Sequence, residues 1–184
     1  MRKDTDAKTA DVQLKPADDK PPKVSLAAMQ KMLADYATLS IKVGAAVPDI
    51  SGSGLDGKKV THKAASGKYS LLSFYFSECA PCIAEVPDLN AFAARHPDVN
   101  LLAVTFDSTE EARAFKAKHH FEVTTVADAH GYISTLGVKA YPTLVIIDPA
   151  GKLVASKSGG VISTVAPDGL KNLERWFEAS THHG

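Results

Sequence analysis

Cysteine is nearly absent: the 184-residue chain has two. That excludes a disulfide-dense scaffold and a four-cysteine zinc module, and leaves one bridge or one reactive pair. An excess of charge of either sign is also missing, because 21 Lys and Arg balance 21 Asp and Glu. A nucleic-acid partner usually demands a basic excess and a disordered chain a large net charge, so neither class fits. No apolar run approaches the roughly 18 residues that cross a bilayer. The longest, Leu71 to Phe76 and Leu144 to Ile147, have strand length, and Met1-Arg2-Lys3-Asp4 runs into polar residues rather than the apolar stretch of a signal peptide. With 45% apolar and 23% charged residues, the composition is that of one ordinary globular domain.

Residues 1 to about 24 are rich in Lys, Asp, Ala and Pro, with too few large apolar groups to offset the entropy of ordering; they read as a flexible tail or linker. Residues 25–184 read as a single domain. Leu26, Met29, Leu33, Tyr36 and Leu39 recur at helical spacing behind Ser25, which predicts a capped N-terminal helix. Gly52-Ser53-Gly54-Leu55-Asp56-Gly57 matches the dinucleotide-binding pattern G-x-G-x-x-G. Lys58-Lys59-Val60-Thr61 is no helix start, however, so these glycines are expected to make turns before a strand at Lys59 to His62.

From Lys68 strands alternate with helices. Strands are expected at Tyr69 to Phe76, Val99 to Phe106, Phe121 to Ala127, Thr143 to Ile147 and Lys152 to Ser158. Helices are expected at Ile83 to Arg95, Glu110 to His119 and Tyr132 to Leu136, with a last one from near Pro167-Asp168. The order β-α-β-α-β-α-β-β-α implies an α/β fold, a mixed sheet flanked by helices on both faces.

Both cysteines lie in Cys79-Ala80-Pro81-Cys82, directly after the first buried strand and at the opening of a helix. The free N–H groups and positive dipole end of a helix stabilise a thiolate, which is the reactive form of cysteine. Pro81 costs little in the first turn, where its missing N–H would have no helical partner.

Cys79-Ala80-Pro81-Cys82, Pro87 five residues beyond, and Tyr141-Pro142-Thr143 before a later strand together resemble the thioredoxin fold. The chain is most similar to the extracytoplasmic TlpA/ResA-like thiol-disulfide oxidoreductases, through Val43-Gly44 with Pro48-Asp49, the Asp56-Gly57-Lys58 hairpin and Cys82-Ile83-Ala84-Glu85-Val86-Pro87. The resemblance implies a thioredoxin-like fold with an N-terminal helix and hairpin extension, and a cis peptide bond at Pro142 facing the redox pair. It implies protein disulfide reduction by Cys79 and Cys82, without a cofactor and with an upstream thiol reductant. Glu85 is the expected proton acceptor near the second sulfur, and Tyr141, Pro142 and Thr143 the substrate groove. Tyr75 and Phe76 are expected just beneath the site. A monomer in a bacterial periplasmic or extracytoplasmic setting, in the area of cytochrome c biogenesis, completes the expectation.

Two residues depart from the family pattern. Glu78 stands where a Trp usually precedes the first cysteine, and its charge disfavours a neighbouring thiolate. Ser73 stands where thioredoxins often hold a buried acid, which leaves Glu85 as the carboxylate on the helix side. Glu85 on a solvated helix face is the plainer reading. A peroxiredoxin-like thiol peroxidase shares the fold, but those enzymes carry Thr or Ser where this chain has Phe76. A copper-binding or interaction module also uses such a scaffold. A zinc site pairing Cys82 with His96 fails on spacing, because the next histidine is His119. His119 with His120 reads as a helix end, and His182 with His183 as a chain terminus.

Overall fold

The structure, a computed structural model, describes Ser25 and residues 39–159 and 168–182. The expected tail and, apart from Ser25 and Leu39, the expected N-terminal helix lie outside the described residues.

Among the described residues, seven strands and four helices follow in order: β1 (Ile50–Ser53), β2 (Lys59–His62), β3 (Ser70–Tyr75), α1 (Ala80–Arg95), β4 (Asn100–Thr105), α2 (Thr109–His119), β5 (Thr124–Val126), α3 (His130–Leu136), β6 (Thr143–Ile147), β7 (Leu153–Ser158) and α4 (Gly169–Thr181). Five strands form one sheet in the order β5-β4-β3-β6-β7, and β1 pairs with β2 in a separate hairpin. β3, β4 and β5 run parallel, while β6 and β7 run antiparallel to their neighbours. The mixed sheet expected from the element order is present.

β3 lies at the centre, between β4 and β6, and all six of its residues are buried. A strand covered on both faces is mostly apolar, which explains why Leu71, Leu72, Phe74 and Tyr75 surround the small buried Ser73. The pleat sends alternate residues to opposite faces. Leu71 and Tyr75 join Leu101, Ala103, Leu144 and Ile146 on the face covered by α1, α2 and α4. Leu72 and Phe74 join Leu102, Val104, Val145 and Ile147 on the face covered by α3, Val47 and Ile50.

α1 lays Val86, Leu89 and Phe92 into the first core. Phe92 meets Phe177 of α4 edge-on at 5.3 Å, and Arg95 reaches Glu174 of α4 at 3.3 Å. α2 starts on a reciprocal cap: the Ser108 hydroxyl accepts from the Glu111 N–H, and the Glu111 carboxylate accepts from the Ser108 N–H.

The expected turn at Gly52 and Ser53 is corrected: both residues belong to β1, and the turn begins at Gly54. Gly52 is required there because a Cβ would lie 2.5 Å from the Ala127 carbonyl oxygen. The missing side chain therefore serves a close strand contact, with Ser53 and Ala127 exchanging backbone hydrogen bonds, and not a pyrophosphate. Phe121 and Val123, expected within a strand, are buried but precede the three-residue β5.

Candidate active site

Cys79 is the N-cap of α1. Its backbone is extended (φ −78°, ψ 96°), and its sulfur accepts the backbone N–H of Cys82 at 3.2 Å. The helix therefore starts three residues before Ile83, where hydrophobic periodicity first becomes readable. Pro81 falls within the first two helical positions, where no N–H is missed. The sulfurs of Cys79 and Cys82 are joined in a disulfide, with Cα atoms 5.2 Å apart, and both residues are 4% exposed. Once the bond is reduced, the same first-turn N–H groups and the helix dipole favour the thiolate at Cys79.

Glu85 is 1% exposed, among the largest fully buried side chains of the chain. The solvated-face reading is thereby overturned. Glu85 lies three residues beyond Cys82 and four before Leu89, within the buried stripe Cys82, Glu85, Val86, Leu89 and Phe92. Its place in that stripe was the signal for burial. Ser73 is also buried, and Glu78 is exposed.

The Tyr141–Pro142 peptide bond is cis, as the resemblance implies. Pro142 is buried and Tyr141 half-buried. The Tyr141 ring meets Phe76 at 5.5 Å and Phe106 at 5.6 Å, both edge-on, while Phe106 stacks on Phe76 and on His130. Burial pushes the Tyr141 phenol above its ordinary range, and the Asp107 carboxylate adds to the shift. The Thr143 side chain faces inward: its hydroxyl donates to the Ala140 carbonyl at 2.7 Å and lies 2.6 Å from the Ser158 hydroxyl. Of the two aromatics expected beneath the site, Phe76 is half-buried in this cluster. Tyr75 is fully buried against Phe115 and Phe121.

Three residues of this region escaped the sequence reading. Phe106, just past β4, and His130, at the start of α3, extend the aromatic rim. Asp107, 7% exposed, accepts the Ser77 N–H at 2.7 Å and so holds the loop that leads to Cys79. The available signal was a polar residue at the carboxyl end of a buried parallel strand, where open α/β sheets place their sites.

Among the described residues, no group of three or more His, Cys, Asp or Glu is arranged to hold a metal. His96 stacks on Phe92 beside Glu174, and His119 packs on Phe115.

Residues 43–156 match the AhpC/TSA family. The thioredoxin-like protein YneN of Bacillus subtilis is 31% identical over 118 residues, 61% of this chain and 69% of that protein. The thiol-disulfide oxidoreductase ResA of Bacillus thuringiensis is 29% identical over 137 residues, 72% of this chain and 79% of that one. The thioredoxin domain of a thiol-disulfide oxidoreductase from Bacteroides vulgatus superposes with a TM-score of 0.62 at 25% identity, covering 75% of this chain and 99% of that domain. With a central mixed sheet, a cysteine pair at the start of α1 and a match over more than half its length, the chain belongs to the AhpC/TSA family of thioredoxin-like proteins.

Proposed function

We propose that the protein reduces disulfides in protein substrates by dithiol-disulfide exchange at Cys79 and Cys82. The observation that carries this reading is the cysteine pair at the start of α1, with Cys79 as its N-cap. In the reduced protein the Cys79 thiolate attacks one sulfur of a substrate disulfide. That bond breaks, one substrate thiolate leaves, and a mixed disulfide forms. The Cys82 thiolate then attacks the Cys79 sulfur, which releases the second substrate thiolate and closes the Cys79–Cys82 bond. Two electrons pass to the substrate and no cofactor is consumed. A dithiol donor of the same chemistry reopens the bond for the next cycle.

Glu85 is the proposed acceptor for the Cys82 proton, since a carboxylate three residues along the same helix face lies next to that sulfur's turn. Tyr141 and Pro142 form the proposed groove wall, and the inward Thr143 hydroxyl holds the start of β6 behind them. Substrate selection then rests on shape and backbone pairing more than on long-range steering, as the balanced charge suggests. Among the described residues no helix is long and apolar enough to cross a membrane. An extracytoplasmic bacterial setting, where substrate disulfides persist, is part of the same proposal.

The test is reduction of insulin with dithiothreitol as electron source. The protein accelerates precipitation of the insulin B chain, and Cys79→Ser abolishes the acceleration. A Cys79→Ser variant as active as the parent overturns the mechanism, and turnover of hydrogen peroxide without insulin reduction assigns a peroxidase instead.

A further inference from the structure

The segment Phe76 to Cys79 joins the central strand to the reactive helix, and three of its anchors are local. Phe76 accepts the Cys79 N–H at 3.1 Å, the Cys79 carbonyl accepts the Ile83 N–H at 3.0 Å, and the Cys79 sulfur accepts the Cys82 N–H. A fourth anchor comes from another strand. The Asp107 carboxylate, just past the end of β4, accepts the Ser77 N–H at 2.7 Å. We propose that Asp107 is the positioning residue of the active-site loop: its carboxylate fixes the backbone two residues before Cys79 and thereby sets the Cys79 sulfur in its helix-capping place.

Asp107 is well built for such a task. Its own N–H donates to the Thr105 hydroxyl at 3.0 Å, and its carbonyl accepts the Asp128 N–H at 2.8 Å. The Thr105 carbonyl accepts the Ala129 N–H at 3.0 Å. The segment from Thr105 to Ser108 thus ties together the loop before α1, the loop before α3 and the cap of α2. A carboxylate that is 7% exposed sits in a costly place for a charge, and a short bond from a backbone N–H is a strong return for it. Removing the carboxylate leaves the Ser77 N–H without this partner in a part-buried setting, so the loop must shift to find another. A shift two residues upstream displaces the sulfur from the N–H groups that favour its thiolate.

The inference takes from the proposed function only that Cys79 is the attacking sulfur, and its test measures that sulfur directly. Asp107→Asn and Asp107→Ala are compared in the full chain carrying Cys82→Ser, with the rate of Cys79 alkylation by iodoacetamide as the readout. Both variants are neutral, so any effect of removing the charge is common to them. Only Asn keeps an oxygen that can accept the Ser77 N–H. Alkylation in Asp107→Ala slower than in Asp107→Asn by on the order of tenfold supports the clamp. Equal rates in the two overturn it, whatever either does relative to the parent. Where Asp107→Ala does not fold, Asp107→Ser takes its place, since its hydroxyl is too short to reach the same N–H and it fills the site with a polar group. The outcome is independent of insulin reduction, so the clamp and the proposed function can fail separately.

Discussion

The backbone N–H of Cys82 donates to the sulfur of Cys79 across 3.2 Å, so the first cysteine caps the helix through the main chain of the second. The contact uses the main chain of Cys82, while the exchange chemistry uses its side chain. The two contributions can therefore be separated by substitution.

Cys82→Ser keeps the N–H and removes the resolving sulfur. Cys79 should then still attack a substrate disulfide, while release stops at the mixed disulfide. Reduced Cys82→Ser mixed with insulin should accumulate a covalent adduct on non-reducing gels, lost on adding dithiothreitol. A variant that forms no adduct while the parent reduces insulin argues against Cys79 as the first nucleophile.

Glu85→Gln keeps the size and polarity of a buried side chain and removes its ability to take a proton. Resolution of the mixed disulfide by Cys82 should slow by about tenfold or more near neutral pH, with Cys79 alkylation unchanged. Stopped-flow measurement of substrate release checks this, and an unaltered rate across pH 6–9 reduces Glu85 to a packing residue.

The cap of α2 is a local stability element. Ser108→Ala should cost about 1 kcal/mol of unfolding free energy, measured by urea titration at neutral pH. The hydrogen bonds from Ser108 hold the Glu111 carboxyl below its usual range. A carboxylate depressed in the folded state contributes fully above its unfolded value and loses that contribution as pH falls through the folded one. The destabilisation caused by Ser108→Ala should therefore shrink on acidification below about pH 4.

Burial raises the phenols of Tyr75 and Tyr132 above their ordinary range, with nearby Asp107 and Asp49 adding to the two shifts respectively. Stability tied to these neutral phenols is complete below about pH 10, the unfolded value, and falls as pH rises beyond it. Between pH 8 and pH 11 the guanidinium midpoint should drop less in Tyr132→Phe than in the parent. An equal drop in both assigns the alkaline loss to other groups.

Much of this architecture was legible in the sequence, and for identifiable reasons. β3 and β6 are buried on both faces, so their apolar runs show directly, and Thr143–Ile147 was read to the residue. The cysteine pair was legible because its spacing and its place before a helical stripe carry the chemistry. Glu85 was harder, because glutamate is usually exposed and only its position in the stripe between Cys82 and Leu89 contradicts that habit. Gly52 misled, since its need is a neighbour in space, Ala127, that no local pattern reveals. The place of Asp107 just past a buried parallel strand is visible in the sequence, but its partner is not, for the same reason. Asp107 acts on a backbone N–H thirty residues earlier, through strand pairing that only the folded sheet establishes.

The approach of Gly52 to Ala127 bears on how the rims of the sheet are covered. A β-sheet rim is a template on which other chains can polymerise, and this sheet has two rims, β5 and β7. β5 is only three residues long, and the hairpin strand β1 bridges to the chain just beyond it at Ala127. At the other rim, residues 44–47 trade backbone hydrogen bonds with Gly151 and Leu153 at the start of β7, and the exposed Lys157 stands near its end. The stretch before and through β1 thus blunts both rims. Gly52→Val, by prising β1 from Ala127, would uncover a growth point for aggregation without touching the cysteines.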